Sequence, residues 1–114
     1  MMSDCLFCRI IQKQIPAKFE YENETLVVIQ DINPQAPTHL LLIPKQHIAQ
    51  LNDADVSDAR LIGELILCAK ELAQKKRITD GYRLVFNNGA KAGQSVFHVH
   101  LHLLGGRIMT WPPG

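Results

Sequence analysis

Two periods of hydrophobicity run along this chain. From about Asp55 to Arg77 the residues Leu61, Leu65, Cys68, Ala69, Leu72 and Ala73 recur at helical spacing, which predicts one long helix with Gly81 as its stop. A shorter amphipathic helix is predicted over residues 7–14, with Phe7, Ile10 and Ile11 on one side and Ile15-Pro16 at its end. Four short runs, residues 25–30, 39–43, 82–87 and 97–104, read as strands separated by loops rich in proline, asparagine and glycine. Strands in hairpin-like succession with one helix between them predict an α+β fold, an antiparallel meander sheet of about five strands with the helix on one face. Parallel βαβ units would need more helices. The terminal GGRIMTWPPG is predicted to be neither helix nor central strand; it either packs across a partner subunit or frays.

The last strand run is the informative one. In HVHLHLL, successive strand side chains point to opposite faces, so His98, His100 and His102 share one face while Val99, Leu101 and Leu103 fill the other. Imidazoles about 6.5–7 Å apart make a titratable ridge on an apolar strip. Three desolvated imidazoles are costly without a use, so the ridge is either a metal site or a catalytic surface.

Composition narrows the setting. With 114 residues, 46% of them hydrophobic, the chain suits a single domain over residues 1–114. Twelve basic against 11 acidic residues leave a net charge of +1, and the one basic run, Lys75-Lys76-Arg77, suits a helix C-terminus. Nucleic-acid binding has no electrostatic footprint here, and no apolar stretch is long enough for a membrane span. A cytoplasmic protein with reduced thiols is expected. Cys68 reads as a small buried hydrophobe. Cys5 and Cys8 have the spacing to grip one tetrahedral zinc if further ligands come from elsewhere, which the pair alone leaves open.

Taken together, DINPQAPTH, Ser95-Val96-Phe97 running into HVHLHLL, and GGR with the WPPG ending resemble the histidine-triad (HIT) superfamily, closest to its nucleotide-binding Hint-type branch. The resemblance runs from about Cys5 to Gly114. It implies an α+β homodimer whose sheets continue into one another, and hydrolysis of purine nucleoside 5′-phosphoramidates, AMP or GMP amides, through a nucleotidyl-histidine. His100 would be the nucleophile, a role suited to an imidazole that attacks at neutral pH and leaves readily. His102 would contact the phosphate oxygens, Ser95 would donate to phosphate or leaving nitrogen, and His39 would position the triad. A histidine merely satisfied at a strand end is the bland alternative for His39.

Resemblance also implies the nucleotide contacts. Gly93 lets backbone approach the phosphate, and the amides of Gly93, Gln94 and Ser95 would cradle its oxygens. Asn87 would touch the phosphate or ribose side, whereas Asn88-Gly89 reads as a turn. Asp31 would accept the ribose hydroxyls, and Ile32, with Phe7, Ile10 and Ile29, would sandwich the purine, although those apolar residues would be core in any fold. Relatives carrying Cys-x-x-Cys imply a zinc held by Cys5, Cys8, His47 and His98. Such a closed set is structural and not required for the chemistry. Three rival readings follow: a catalytic metal bound by the His-x-His face, a dinucleoside polyphosphate hydrolase of the same superfamily, and a non-catalytic nucleotide-binding scaffold.

Overall fold

Helix α1 covers Leu6–Ile11 and helix α2 covers Ala59–Lys75. Both are shorter than their hydrophobic periodicity predicts, because each closes on a left-handed residue, Lys13 at φ 63° and Arg77 at φ 58°. Beyond these, the Gln14 amide donates to the Arg9 carbonyl at 2.9 Å and the Ile78 amide to the Ala73 carbonyl at 3.0 Å. That is the Schellman pattern, which satisfies the last carbonyls of a helix. Gly81 therefore does not stop α2, and Pro16 lies beyond the end of α1. At the other end, Asp55 caps a single 3-10 turn, Val56–Asp58, so α2 begins only at Ala59. These coordinates are a computed structural model that describes residues 4–114; the first three residues of the expected domain lie outside the described residues.

Five strands, β1 (Phe19–Glu22), β2 (Leu26–Gln30), β3 (Thr38–Pro44), β4 (Tyr82–Val85) and β5 (Leu101–Gly105), form one antiparallel sheet in the order β1-β2-β3-β5-β4. The α+β expectation holds. β1 is the strand the sequence does not place, although Phe19 and Tyr21 alternate there with Glu20 and Glu22. β2 and β3 are apolar on both faces because both are covered. Leu26, Val28, Leu40, Leu42, Leu101 and Leu103 pack with Leu65, Ala69 and Leu72 of α2. Val27, Ile29, Leu41 and Ile43 pack on the opposite side with Phe7 and Ile10 of α1. Each such side chain contributes about 1.5–3 kcal/mol on burial.

Alternation along β5 then decides where the histidines lie. Leu101 and Leu103 face α2, so His102, in register with Leu41, points to the α1 side. The strand itself starts later than predicted. Ladder pairing with β3 ends at Leu42 and Leu101, since Pro44 has no amide to extend it. Upstream, the Val99 amide instead bonds the Ile48 carbonyl at 2.7 Å. His98 and His100 therefore precede the strand. Among the described residues no helix is long and apolar enough to cross a membrane.

Candidate active site and metal site

The orientation of each imidazole follows from what its second nitrogen touches. A carbonyl can only accept a hydrogen bond, so a ring nitrogen beside one carries the proton, and the other nitrogen of the neutral ring keeps its lone pair. His98 is fully buried, and its Nε2 donates to the Pro44 carbonyl at 2.7 Å. Its Nδ1 lone pair thus faces Cys5 Sγ at 3.3 Å, Cys8 Sγ at 3.5 Å and His47 Nδ1 at 3.1 Å. Cys8 Sγ lies 3.3 Å from His47 Nδ1. All four donor atoms lie within 4.8 Å of one another. Bonds of about 2.0–2.3 Å to a tetrahedral zinc imply donor separations of roughly 3.3–3.8 Å, so the residues fit that ion. α1 delivers both sulfurs: Cys5 is its N-cap, accepting from the Cys8 amide at 3.4 Å.

His100 has the same logic with the opposite consequence. Its Nδ1 donates to the His98 carbonyl at 2.7 Å, which leaves the Nε2 lone pair for the cavity that this ring lines. Phe7, held between the two cysteines of α1, sits edge-on to His100 with centroids 4.9 Å apart at 84°. Burial pushes the His100 pKa down, against the opposing pull of its bond to the His98 carbonyl and of Asp31. Burial thus favours the neutral form of the ring.

His102 is the mirror case. The Gln35 amide can only donate, and it reaches His39 Nδ1 at 3.0 Å, so the proton of neutral His39 sits on Nε2. That Nε2 lies 2.9 Å from His102 Nδ1, which must accept, so the His102 proton sits on Nε2. Burial, with His100 and His39 nearby, lowers the His102 pKa to about 4. Adjoining rings 5.0 Å apart therefore present opposite tautomers, a lone pair on His100 and an N–H on His102. Asp31 joins them, with Oδ2 at 3.5 Å from His39 Nε2 and Oδ1 accepting the Asn33 amide at 2.8 Å. Asp31, His39 and His102 also cluster closely enough to hold an ion, but a protonated His39 Nε2 is no ligand atom.

Linkage gives this neutrality a measurable consequence. Because the folded pKa of His102 is lowered from 6.5 to about 4, the unfolded chain binds the proton in that interval and the folded chain does not. Stability is thus fully present above the upper value and falls as pH drops through the window, by up to about 1.4 kcal/mol per pH unit for this group. Urea unfolding across the range should show that slope. His102→Gln, which cannot titrate, should make it shallower, with the remainder carried by His98, whose pKa burial also lowers to about 4.

These groups border a cavity of about 670 Å³, within the range of small-molecule sites. Phe7, Ile10, Ile29 and Ile32 line it together with Asp31, Gly93, Ser95, His100 and His102. Ile32 is fully exposed at the rim, an isoleucine with nothing from this chain over it. Leu6, Ile15, Ala17, Lys18 and Val96 line the cavity too. No local signal distinguished these from ordinary core or loop. A second cleft, of about 590 Å³, lies beside Arg77, Arg83 and Arg107 and contains none of the histidines.

The loop before the triad differs from its expectation. The Gly93 and Gln94 amides are consumed by a 3-10 turn, donating to the carbonyls of Ala90 at 3.0 Å and Gly89 at 3.1 Å, and cannot cradle a phosphate. The Gln94 side chain is buried and spent inside the loop, accepting from the Gly89 amide and donating to the carbonyls of Ala49 and Val96. Neither Gln94 nor Asn87 lines the cavity; Asn87 Nδ2 lies 4.0 Å from where a Cβ on Gly93 would stand. Gly93, at φ 99°, earns its place by conformation. Asn88 accepts the Asn52 amide, 36 positions away, at 3.0 Å, and Gly89, at φ 89°, leads into the 3-10 turn.

Comparison with known proteins agrees with this geometry. The chain is 52% identical over 114 residues to an uncharacterised HIT-like protein of Synechocystis sp., covering all of both sequences. Its fold superposes on a HIT family hydrolase from Legionella pneumophila with a TM-score of 0.95 at 54% identity, covering 97% of this chain and 100% of that one. A Zn-bound histidine triad family protein from Mycobacterium smegmatis aligns with a TM-score of 0.81 at 32% identity, over 91% of this chain and 76% of its own. Residues 12–109 match the family model described as HIT domain, and the chain belongs to that family.

Proposed function

We propose that the chain hydrolyses purine nucleoside 5′-phosphoramidates through a nucleotidyl-His100 intermediate. The observation that carries this reading is the pair of opposite tautomers on one cavity wall, a lone pair on His100 Nε2 beside an N–H on His102 Nε2. His100 Nε2 attacks the α-phosphorus as the P–N bond breaks, and the solvent-exposed Ser95 hydroxyl passes a proton to the departing amine while taking one from water. His102 donates to a phosphoryl oxygen as charge gathers there. Water then attacks the same phosphorus and gives its proton back to solvent, the P–His100 bond breaks to restore the neutral ring, and the nucleoside monophosphate leaves. Asp31 receives the ribose hydroxyls, and Phe7, Ile10, Ile29 and Ile32 hold the base.

The same reading gives Cys5, Cys8, His47 and His98 a structural zinc, which ties α1 to the segment leading into β5 and supplies no reacting group. It also makes the working unit a homodimer. β4 is a sheet edge, and Leu67, Ile108 and Trp111 are exposed, features that a second copy would cover.

Turnover of an adenosine phosphoramidate compared with a diadenosine polyphosphate tests the substrate class. Faster cleavage of the phosphoramidate, lost in His100→Ala, is expected. Preference for the polyphosphate would move the chain to the other branch, and binding of AMP without turnover above the variant would make it a scaffold.

A further inference from the structure

Arg107 lies outside the cavity, yet its contacts lead back to the triad. β5 ends on Gly105, where any side chain would strike Ile78, and the chain turns at Gly106, φ 92°, with Pro37 against it. Arg107 then donates from Nε to the Gln35 carbonyl at 2.8 Å and from Nη1 to the Ile108 carbonyl at 3.1 Å. Among the described residues it pairs with no carboxylate. Gln35 is the residue whose amide fixes the proton of His39, and His39 in turn fixes that of His102. The 31–37 loop is thus clasped at both ends: Asp31 N–H bonds the His39 carbonyl at 3.1 Å, and Pro37 and Gln35 are held by the Gly106-Arg107 turn.

We propose that Arg107 is a positioning residue for the triad, holding Gln35 so that its amide locks His39, and through it His102, in the tautomer that presents Nε2–H to the substrate. The chain of contacts runs from Arg107 through Gln35 and His39 to His102, and of these only His102 lines the cavity. Without the lock, only Asp31 Oδ2, 3.5 Å from His39 Nε2, still favours a proton there, and whenever the proton moves to Nδ1 His102 loses the donor that fixes its own. A charge placed to steer substrate would act through affinity. A tautomer lock acts on turnover, because the His102 donor matters most as charge develops on the phosphoryl group.

This inference rests on the nucleotidyl-histidine reading for its kinetic arm alone. ¹⁵N-histidine spectra of the full-length protein at neutral pH, with no substrate, read the tautomers directly. Wild type should show His39 and His102 each as the single Nε2–H form. Arg107→Ala should show ring nitrogens averaged between the two tautomers and a kcat lower by about three- to tenfold at unchanged KM. Arg107→Lys, which restores one donor to the Gln35 carbonyl, should recover most of both. Gln35→Pro, which deletes the amide itself, should reproduce the averaging whether or not Arg107→Ala folds. Unchanged His39 and His102 resonances in Arg107→Ala, or averaging absent in Gln35→Pro, would overturn the proposal. If wild type turns over no phosphoramidate, the substrate reading fails while the spectra still decide the role of Arg107.

Discussion

Replacing His100 with alanine is expected to lower phosphoramidate turnover by at least about a thousandfold while leaving the fold intact. The ring is 8% exposed, so truncation leaves a small space beside Phe7 without stranding a charge: the lost bond ends on the buried His98 carbonyl, a loss of about 1–3 kcal/mol. Nucleotide affinity should survive, because the apolar wall and Asp31 are untouched. Calorimetric binding of AMP beside steady-state rates separates these effects. A variant that keeps a tenth or more of wild-type turnover would show that the nucleophile lies elsewhere.

Stripping metal from zinc-loaded protein is the second large effect. A ligand that binds only the folded state stabilises it by about 4 kcal/mol at a thousandfold excess over its Kd, which for a domain of this length shifts Tm by roughly 15 °C. Chelation should therefore lower Tm by that order. Phe7 stands between Cys5 and Cys8 in the sequence and edge-on to His100 in space, so loosening α1 withdraws a wall from the nucleophile. Turnover should fall several-fold and return on adding zinc, with nucleotidyl-His100 still forming throughout. Cys8→Ser should behave as partly stripped protein does. Abolished turnover at unchanged Tm would instead favour a metal that takes part in the reaction.

Much of this site could be read along the chain because it depends on local rules. Alternation in HVHLHLL gives the common face, and the strand runs with one long helical period give the α+β class, whereas nothing in those patterns predicts the second covered face, under α1. Other features are set by contacts far apart in sequence. Arg107 meets Gln35 across 72 positions, and the His39–His102 bond spans 63. Hydrophobic periodicity carries no information about either. The tautomers depend on a carbonyl or an amide supplied by another segment, so the residue types alone could not separate metal ligand, nucleophile and donor within one triad. Backbone detail hid the rest: Pro44 shortened β5, left-handed Lys13 and Arg77 shortened the helices, and a 3-10 turn consumed two of the three amides expected to hold phosphate, those of Gly93 and Gln94. Each of these is a hydrogen-bonding outcome, decided after the chain has packed.

The central claim is a covalent bond from His100 to the nucleotide phosphorus. Mixing enzyme with excess adenosine phosphoramidate, quenching within a turnover and mapping peptides by mass spectrometry tests it most directly. An added nucleoside monophosphoryl group is expected on the peptide holding His98, His100 and His102, localised to His100 and missing in His100→Ala. An active wild-type enzyme that never accumulates the adduct under any quench, with the label absent from that peptide, would contradict it.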